Sequence, residues 1–235
     1  DWHNKIFEYA KKLKIICFST PFDETAVDLL QQLNTPAYKI ASFELTDLPL
    51  IEYTAKIGKP ILLSTGMSKE NEIINAIECC KKYNNKNILL FHCISSYPAE
   101  TKESNLKSIS YLANQFKVNV GLSDHTTNNL ASIISISLGA CAIEKHFKIN
   151  QNDKGPDSSF SILPNQFKKL VEECNTAFIA LGKYKLKRSK SEKSNKRFRR
   201  SLYFIKDLKK NHIINSNDIK RIRPGFGLEP KYYKK

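Results

Sequence analysis

Six short, almost continuous apolar runs punctuate the chain, and polar residues gather just after each of them. The runs are Lys14–Ser19, Ala37–Ala41, Pro60–Ser64, Ile88–Cys93, Val118–Leu122 and Ala140–Glu144. Apolar stretches without alternation are expected of strands buried on both faces, the condition of a parallel sheet covered by helices. Helical patterns near 2–13, 23–33, 48–57, 69–83, 103–116 and 128–138 alternate with the runs. A further helix is expected over Pro164–Leu181. There Phe167, Leu170, Val171, Cys174, Phe178 and Leu181 form an apolar stripe, and Pro164 suits the first turn.

Serial strand–helix units build a parallel sheet with right-handed crossovers, either open or closed into a barrel. An open sheet that binds nucleotides carries a glycine-rich loop after its first strand, and none follows Ser19. Polar residues stand instead at every strand end: Ser19-Thr20, Ser42 to Glu44, Ser64-Thr65-Gly66, Ser95-Ser96-Tyr97, Ser123-Asp124-His125 and Glu144-Lys145-His146. A rim built from many strand ends is the signature of a (β/α)8 barrel. The expected fold is therefore α/β, a partial TIM barrel over residues 1–182 with strands 3–8 visible. The two units that would close it are expected upstream of residue 1.

Beyond Gly182 the character changes. Lys183–Arg200 is rich in lysine and arginine with Glu192 as its one acid, and reads as a solvated basic linker. Ser201–Ile205 reads as a strand, Asp207–Asn211 as a turn and Ser216–Ile219 as a short capped turn. Ile222–Gly225 reads as a strand running into a loop. Residues 201–235 are thus expected to begin a small β-rich domain too short to complete a core.

The net charge of +15 admits a nucleic-acid surface, but aromatic residues are not interleaved with the basic ones. A lysine-rich solvated surface is the favoured reading, with attraction of an anionic substrate as a contributing cause. No apolar run approaches the ~18 residues of a membrane span. The amino terminus has no apolar signal region. Six scattered cysteines, Cys79 and Cys80 adjacent among them, read as reduced thiols of a cytoplasmic protein.

Two histidines, His125 and His146, follow consecutive strands, with Asp124 and Glu144 beside them. Strand ends on one rim bring such imidazoles together, and imidazole suits a divalent transition metal. The alternative is two unrelated loop residues. Lys39 lies inside an apolar strand, where an unpaired ammonium is costly; it is expected to point inward toward Ser42 and Ser64 and meet an anion. The alternative is a side chain snorkelling outward. Thr20, Ser42, Ser64 and Ser123 add hydroxyls to the same rim. Asp157, in the loop Gly155–Ser161, could accept bonds from a ligand, or simply shape a turn. His3, His92 and His212 read as structural.

In order, the chain carries Ser-Thr-Pro-Phe, Tyr-Lys-Ile-Ala-Ser, Leu-Ser-Thr-Gly-Met, Tyr-Pro after Ser-Ser, Gly-Leu-Ser-Asp-His-Thr, Glu-Lys-His-Phe and Gly-Pro-Asp. This series resembles the sialic acid synthase family from its third barrel strand to its eighth. Arg-Arg-Ser-Leu-Tyr and Ile-Arg-Pro-Gly-Phe-Gly-Leu-Glu-Pro-Lys resemble the start of that family's antifreeze-like (SAF) domain. The resemblance implies a metal-dependent condensation of phosphoenolpyruvate with an open-chain amino sugar. The wording is closest to the branch whose sugar is a 2,4-diacetamido-2,4,6-trideoxy-altrose. It also implies roles. His125 and His146 would bind a divalent metal (Mn, Mg or Co). Thr20, Lys39, Ser42, Ser64, Ser95 and Ser123 would hold phosphoenolpyruvate. Glu44, Tyr97 and Asp157 would face the sugar. Arg223 would reach over the barrel of a partner in a domain-swapped homodimer. The family's first strands also supply a glutamate, an Asn-His pair and a lysine that this chain does not contain, so the chain alone is expected to be inactive. N-acetylneuraminate synthases place an asparagine where Ser95 stands. The competing readings are an N-acetylneuraminate or legionaminate synthase, and a non-catalytic basic module.

Overall fold

The computed structural model describes residues 2–186 and 189–234. Lys187 and Arg188, within the expected linker, lie outside the described residues, as do Asp1 and Lys235. The chain divides into two compact units, residues 1–182 and 183–235.

The first unit is an alternation of helices and parallel strands. Helices α1 (His3–Lys12) and α2 (Glu24–Gln32) precede β1 (Tyr38–Ile40); α3 (Leu48–Ala55), β2 (Ile61–Ser64), α4 (Glu70–Lys82) and β3 (Ile88–Cys93) follow. Then come α5 (Ser108–Phe116), β4 (Asn119–Asp124), α6 (Leu130–Ser137), β5 (Ile143–Lys145) and α7 (Pro164–Leu181). The strands pair in sequence order, β1-β2-β3-β4-β5, all parallel.

Local chemistry sets the helix starts. The Asp23 carboxylate accepts the Ala26 N–H at 2.8 Å, and Asp47 accepts that of Leu50 at 3.1 Å. Each satisfies a donor that a first helical turn leaves orphaned. Pro164 opens α7, where the Gln166 side chain accepts the Leu163 N–H at 2.8 Å.

The core lies between sheet and helices. Tyr38, Ile40, Ile61, Leu63 and Leu90 of the strands are wholly or almost wholly buried against Val27, Leu50, Ile51, Ala76 and Ile109 of the helices. Burying a side chain of this size contributes about 1.5–3 kcal/mol, so these positions alone outweigh any surface ion pair.

Two expectations for the first unit are corrected. Lys14–Ser19 is not a paired strand: among the described residues it makes a single bridge, Ser19 to Tyr38, so the sheet has five strands and not six. Ile15 and Ile16 of the segment are exposed, so it lacks the two-sided burial that holds a strand in a covered parallel sheet. The helix expected to start at 103 begins at Ser108. A separate turn at Thr101–Glu103 precedes it, and Asn105 between the two has a positive φ of 38°. Helical φ is negative, so no helix runs through Asn105.

In the second unit, β6 (Ser201–Phe204) pairs antiparallel with β7 (Ile219–Ile222). A single-turn helix α8 (Lys190–Lys193) and a 3-10 turn (Ser194–Phe198) precede them, so the segment expected as a plain linker is partly helical. The second strand begins at Ile219, whereas the sequence suggested Ile222. The buried Asp218 fixes the turn before it. Its carboxylate takes the Asn215 N–H and His212 Nε2, both at 2.8 Å, and Lys206 Nζ at 2.7 Å.

Candidate functional site

The site is built from side chains at the carboxyl ends of β1 to β5. Lys39 projects from the middle of β1 and meets Glu144 of β5, its Nζ 2.7 Å from the carboxylate. Three strands separate β1 from β5 in the sheet. Residues so placed touch only across the concave face of a curled sheet, and so Lys39 points inward. The anion it meets is the carboxylate of Glu144. Glu144 also accepts the Ser123 hydroxyl at 2.7 Å. Burial pushes the Glu144 carboxyl up, but the Lys39 ammonium and the Ser123 hydroxyl outweigh it and hold it below its ordinary value.

His125 and His146 come together one step further along β4 and β5. Their ring centroids are 5.3 Å apart, and Tyr97 packs on both, at 4.4 Å and 6.1 Å. Phe160, buried, closes the cluster 4.8 Å from His146. His125 Nδ1 donates to the Ile94 carbonyl at 2.8 Å, which leaves Nε2 as the lone-pair nitrogen, 3.4 Å from Ser123 Oγ. Burial lowers its proton affinity and favours the neutral ring. His146 Nδ1 lies 3.3 Å from a carboxylate oxygen of Asp157, which orients that ring in turn. The loop histidines are therefore not unrelated.

A second group surrounds Gly66, just past β2. Its N–H donates to Ser42 Oγ at 3.1 Å, and Ser42 Oγ lies 3.1 Å from Cys93 Sγ. Ser95 reaches the same spot: a Cβ on Gly66 would sit 2.1 Å from its Oγ. Ser64 Oγ and one oxygen of Glu44 are buried without a hydrogen-bond partner. Buried polar atoms are nearly always paired, so these two point to a polar ligand. Tyr97 borders this group near Ser95, its hydroxyl proton held more tightly than usual, chiefly through burial.

The remaining expected residues are less drawn together. Thr20 follows the Ser19 bridge and is half-buried. Asp157 is exposed apart from its contact with His146. Arg223 is exposed just past β7, in the second unit. His92 is structural as expected: it is buried and bonded through Nε2 to the Ser104 carbonyl at 2.7 Å. Sequence reasoning passed over Cys93, Phe160 and Lys145. The period of two along β4 and β5 could have exposed Lys145, because it puts Asp124 and Lys145 together on the face opposite the histidines.

A divalent metal suits part of this set. Two imidazoles face each other, each with its second nitrogen or ring edge already oriented, which is how metal-binding histidines are commonly held. Among the described residues no cluster of three or more His, Cys, Asp or Glu side chains completes a coordination sphere. His125 and His146 would supply two ligands, and other groups the rest.

A curled parallel sheet that turns its polar side chains out at the carboxyl ends of its strands is a partial barrel of the α/β-enzyme class. Its particular lineage is equally plain: the chain belongs to the NeuB family, whose model matches residues 1–186. The pseudaminic acid synthase of Helicobacter pylori is 44% identical over 235 residues, all of this chain and 69% of that protein. The N,N'-diacetyllegionaminic acid synthase of Campylobacter jejuni is 40% identical over 234 residues, 98% of this chain and 70% of that protein. Among solved structures, the N-acetylneuraminic acid synthetase of Leptospira borgpetersenii in complex with citrate superposes with a TM-score of 0.78 at 31% identity. It covers 82% of this chain and 67% of its own.

Proposed function

We propose that the complete enzyme of which this chain forms the larger part joins phosphoenolpyruvate to an open-chain 2,4-diacetamido-2,4,6-trideoxy-altrose, giving pseudaminic acid and phosphate. The observation that carries this is the meeting of His125 and His146 beside the Lys39–Glu144–Ser123 group on one concave face, in a chain 44% identical to a pseudaminic acid synthase.

In this reading the methylene carbon of phosphoenolpyruvate forms a bond to the aldehyde carbon of the sugar. Water adds to the cation left on the enol carbon, and phosphate departs by carbon–oxygen cleavage. Lys39, Thr20, Ser42, Ser64, Ser95 and Ser123 hold phosphoenolpyruvate. Glu144 already occupies Lys39 and Ser123, so an arriving phosphate or carboxylate shares those donors with it or displaces it. Glu44, Tyr97 and Asp157 face the sugar. Tyr97 and Phe160 also pack against the two imidazoles. A divalent metal (Mn, Mg or Co) on His125 and His146 would polarise the aldehyde oxygen as a Lewis acid.

Residues 201–235 read as the start of an antifreeze-like domain, with residues 183–200 joining it to the barrel. Arg223 serves the sugar site of a second copy in a domain-swapped homodimer. No described helix is long and apolar enough to cross a membrane. A cytoplasmic location is part of the reading taken from the family resemblance.

The second reading, a legionaminate synthase, is favoured by the 40% identity to the Campylobacter jejuni enzyme. Phosphate release with phosphoenolpyruvate and each candidate sugar separates them. The altrose derivative is expected to give the highest kcat/KM; preference for the legionaminate precursor or for N-acetylmannosamine would reassign the substrate.

A further inference from the structure

Asp124 and Lys145 form an ion pair whose side chains are each only 1% exposed, with Nζ 2.8 Å from Oδ2. Burying two charges costs more than their attraction returns unless further bonds satisfy both. Here they are satisfied fully. The ammonium also donates to the carbonyls of Thr126 (2.7 Å) and Asn128 (2.9 Å), using its three protons. The carboxylate also accepts the Thr126 N–H (2.9 Å) and the Ser132 hydroxyl (2.6 Å).

The placement follows from the strands. Asp124 and Lys145 are opposite each other in the β4–β5 register. Side chains alternate along a strand, so one face receives Ser123 with Glu144, and then His125 with His146. The opposite face receives Asp124 with Lys145. The ion pair therefore ties together the two strand ends immediately before the two imidazoles. Its carbonyl bonds fix the loop 126–128 that leads away from His125.

We infer that the Asp124–Lys145 pair is a positioning clamp that sets the separation of His125 and His146. The inference rests on the metal reading of those histidines. Without the clamp, two strand ends joined at the sheet's edge by one ladder would splay, and a two-imidazole site would lose its preorganisation. The mechanism described above gives neither residue a part, and neither reaches the concave face.

The test is direct Mn2+ binding to the full chain, followed by electron paramagnetic resonance, beside the KM for phosphoenolpyruvate in the complete enzyme. In Lys145→Met and in the charge-free pair Asp124→Asn/Lys145→Gln, Mn2+ affinity is expected to fall roughly 10- to 100-fold, the usual effect of removing an orienting partner. The phosphoenolpyruvate KM should change far less, and Lys145→Arg should restore part of the affinity. Ser132→Ala removes one bond and no charge, so it keeps the test open where the charge variants fail to fold. It should weaken Mn2+ binding about threefold, a small share of that same range. Unchanged Mn2+ affinity in Ser132→Ala and in any folded charge variant would overturn the clamp. His125→Ala and His146→Ala serve as the control. If they bind Mn2+ as tightly as the parent chain, the metal reading itself is wrong and the clamp goes with it.

Discussion

A methyl group on Gly66 would lie 2.1 Å from Ser95 Oγ and 2.8 Å from both Cys93 Sγ and Ser42 Oγ. Contacts below 3.0 Å force something to move, and here the movable parts are the hydroxyls proposed to hold phosphoenolpyruvate. In the complete enzyme, Gly66→Ala should therefore raise the phosphoenolpyruvate KM by about tenfold, the effect of losing ~1.4 kcal/mol of binding, and leave the sugar KM nearly unchanged. Equal rises in both constants in steady-state assays would mean that the Gly66 group does not serve phosphoenolpyruvate. Lys39→Met should act in the same direction and more strongly, because it removes the charge facing that ligand and strands Glu144. A variant with both constants at parent values would end the role of Lys39. Single residues of this kind were legible to different degrees. The histidines and hydroxyls stand directly after apolar runs, and the strand-end rule finds them. The partner of Lys39 was not legible, because Glu144 is 105 residues away and only the curl of the sheet joins them. Phe160 lies in the loop Gly155–Ser161, where the sequence pointed to Asp157 and not to an aromatic ring. Cys93 looked like the last apolar residue of its run.

Among elements, the middle strands were read best, because continuous burial leaves the same apolar signature whatever the neighbours. Residues 14–19 carry a similar signature and yet pair through one bridge, since pattern records apolarity and not the number of partners. The middle strands are also where stability is concentrated. Leu63 on β2 is fully buried, and Leu63→Ala should cost ~2–5 kcal/mol, measurable as a lower denaturant midpoint. A loss below ~1 kcal/mol would mean the sheet is not packed as described. The β6–β7 turn gives a pH prediction. Hydrogen bonds from Lys206 and His212 hold the Asp218 carboxyl well below its usual value of 3.8. A depressed acid contributes stability above the unfolded value, and that stability is lost as pH falls below 3.8 toward the lowered native one. Amides of Ser201–Phe204 and Ile219–Ile222 should then exchange faster relative to the intrinsic rate as the pH is lowered through that window. In Asp218→Asn that acid dependence should flatten; an unchanged slope would remove Asp218 as its source.

At the scale of the molecule, the alternation of runs and helices was enough to read a parallel α/β unit ending near Gly182, and the change to a lysine-rich stretch marked the second unit. How the second unit serves the first was not legible in composition, because thirty-odd residues with one hairpin have no core that dictates an orientation. The proposed answer is exchange between two copies, and it makes a quantitative prediction about Arg223, exposed past β7. In the complete enzyme, Arg223→Ala alone and His125→Ala alone should each give a nearly inactive homodimer. Unfolding and refolding the two variants together in equal amounts lets chains assort at random, so about half of the dimers are mixed. In a mixed dimer with exchanged domains, one site carries both defects and the other carries none. The mixture should then recover about a quarter of the parent activity, one competent site in half of the dimers. If each second unit serves its own barrel, every site in a mixed dimer still carries one defect, and mixing recovers nothing. Phosphate release measured before and after co-refolding distinguishes a quarter from zero without any further assumption about where the sugar lies.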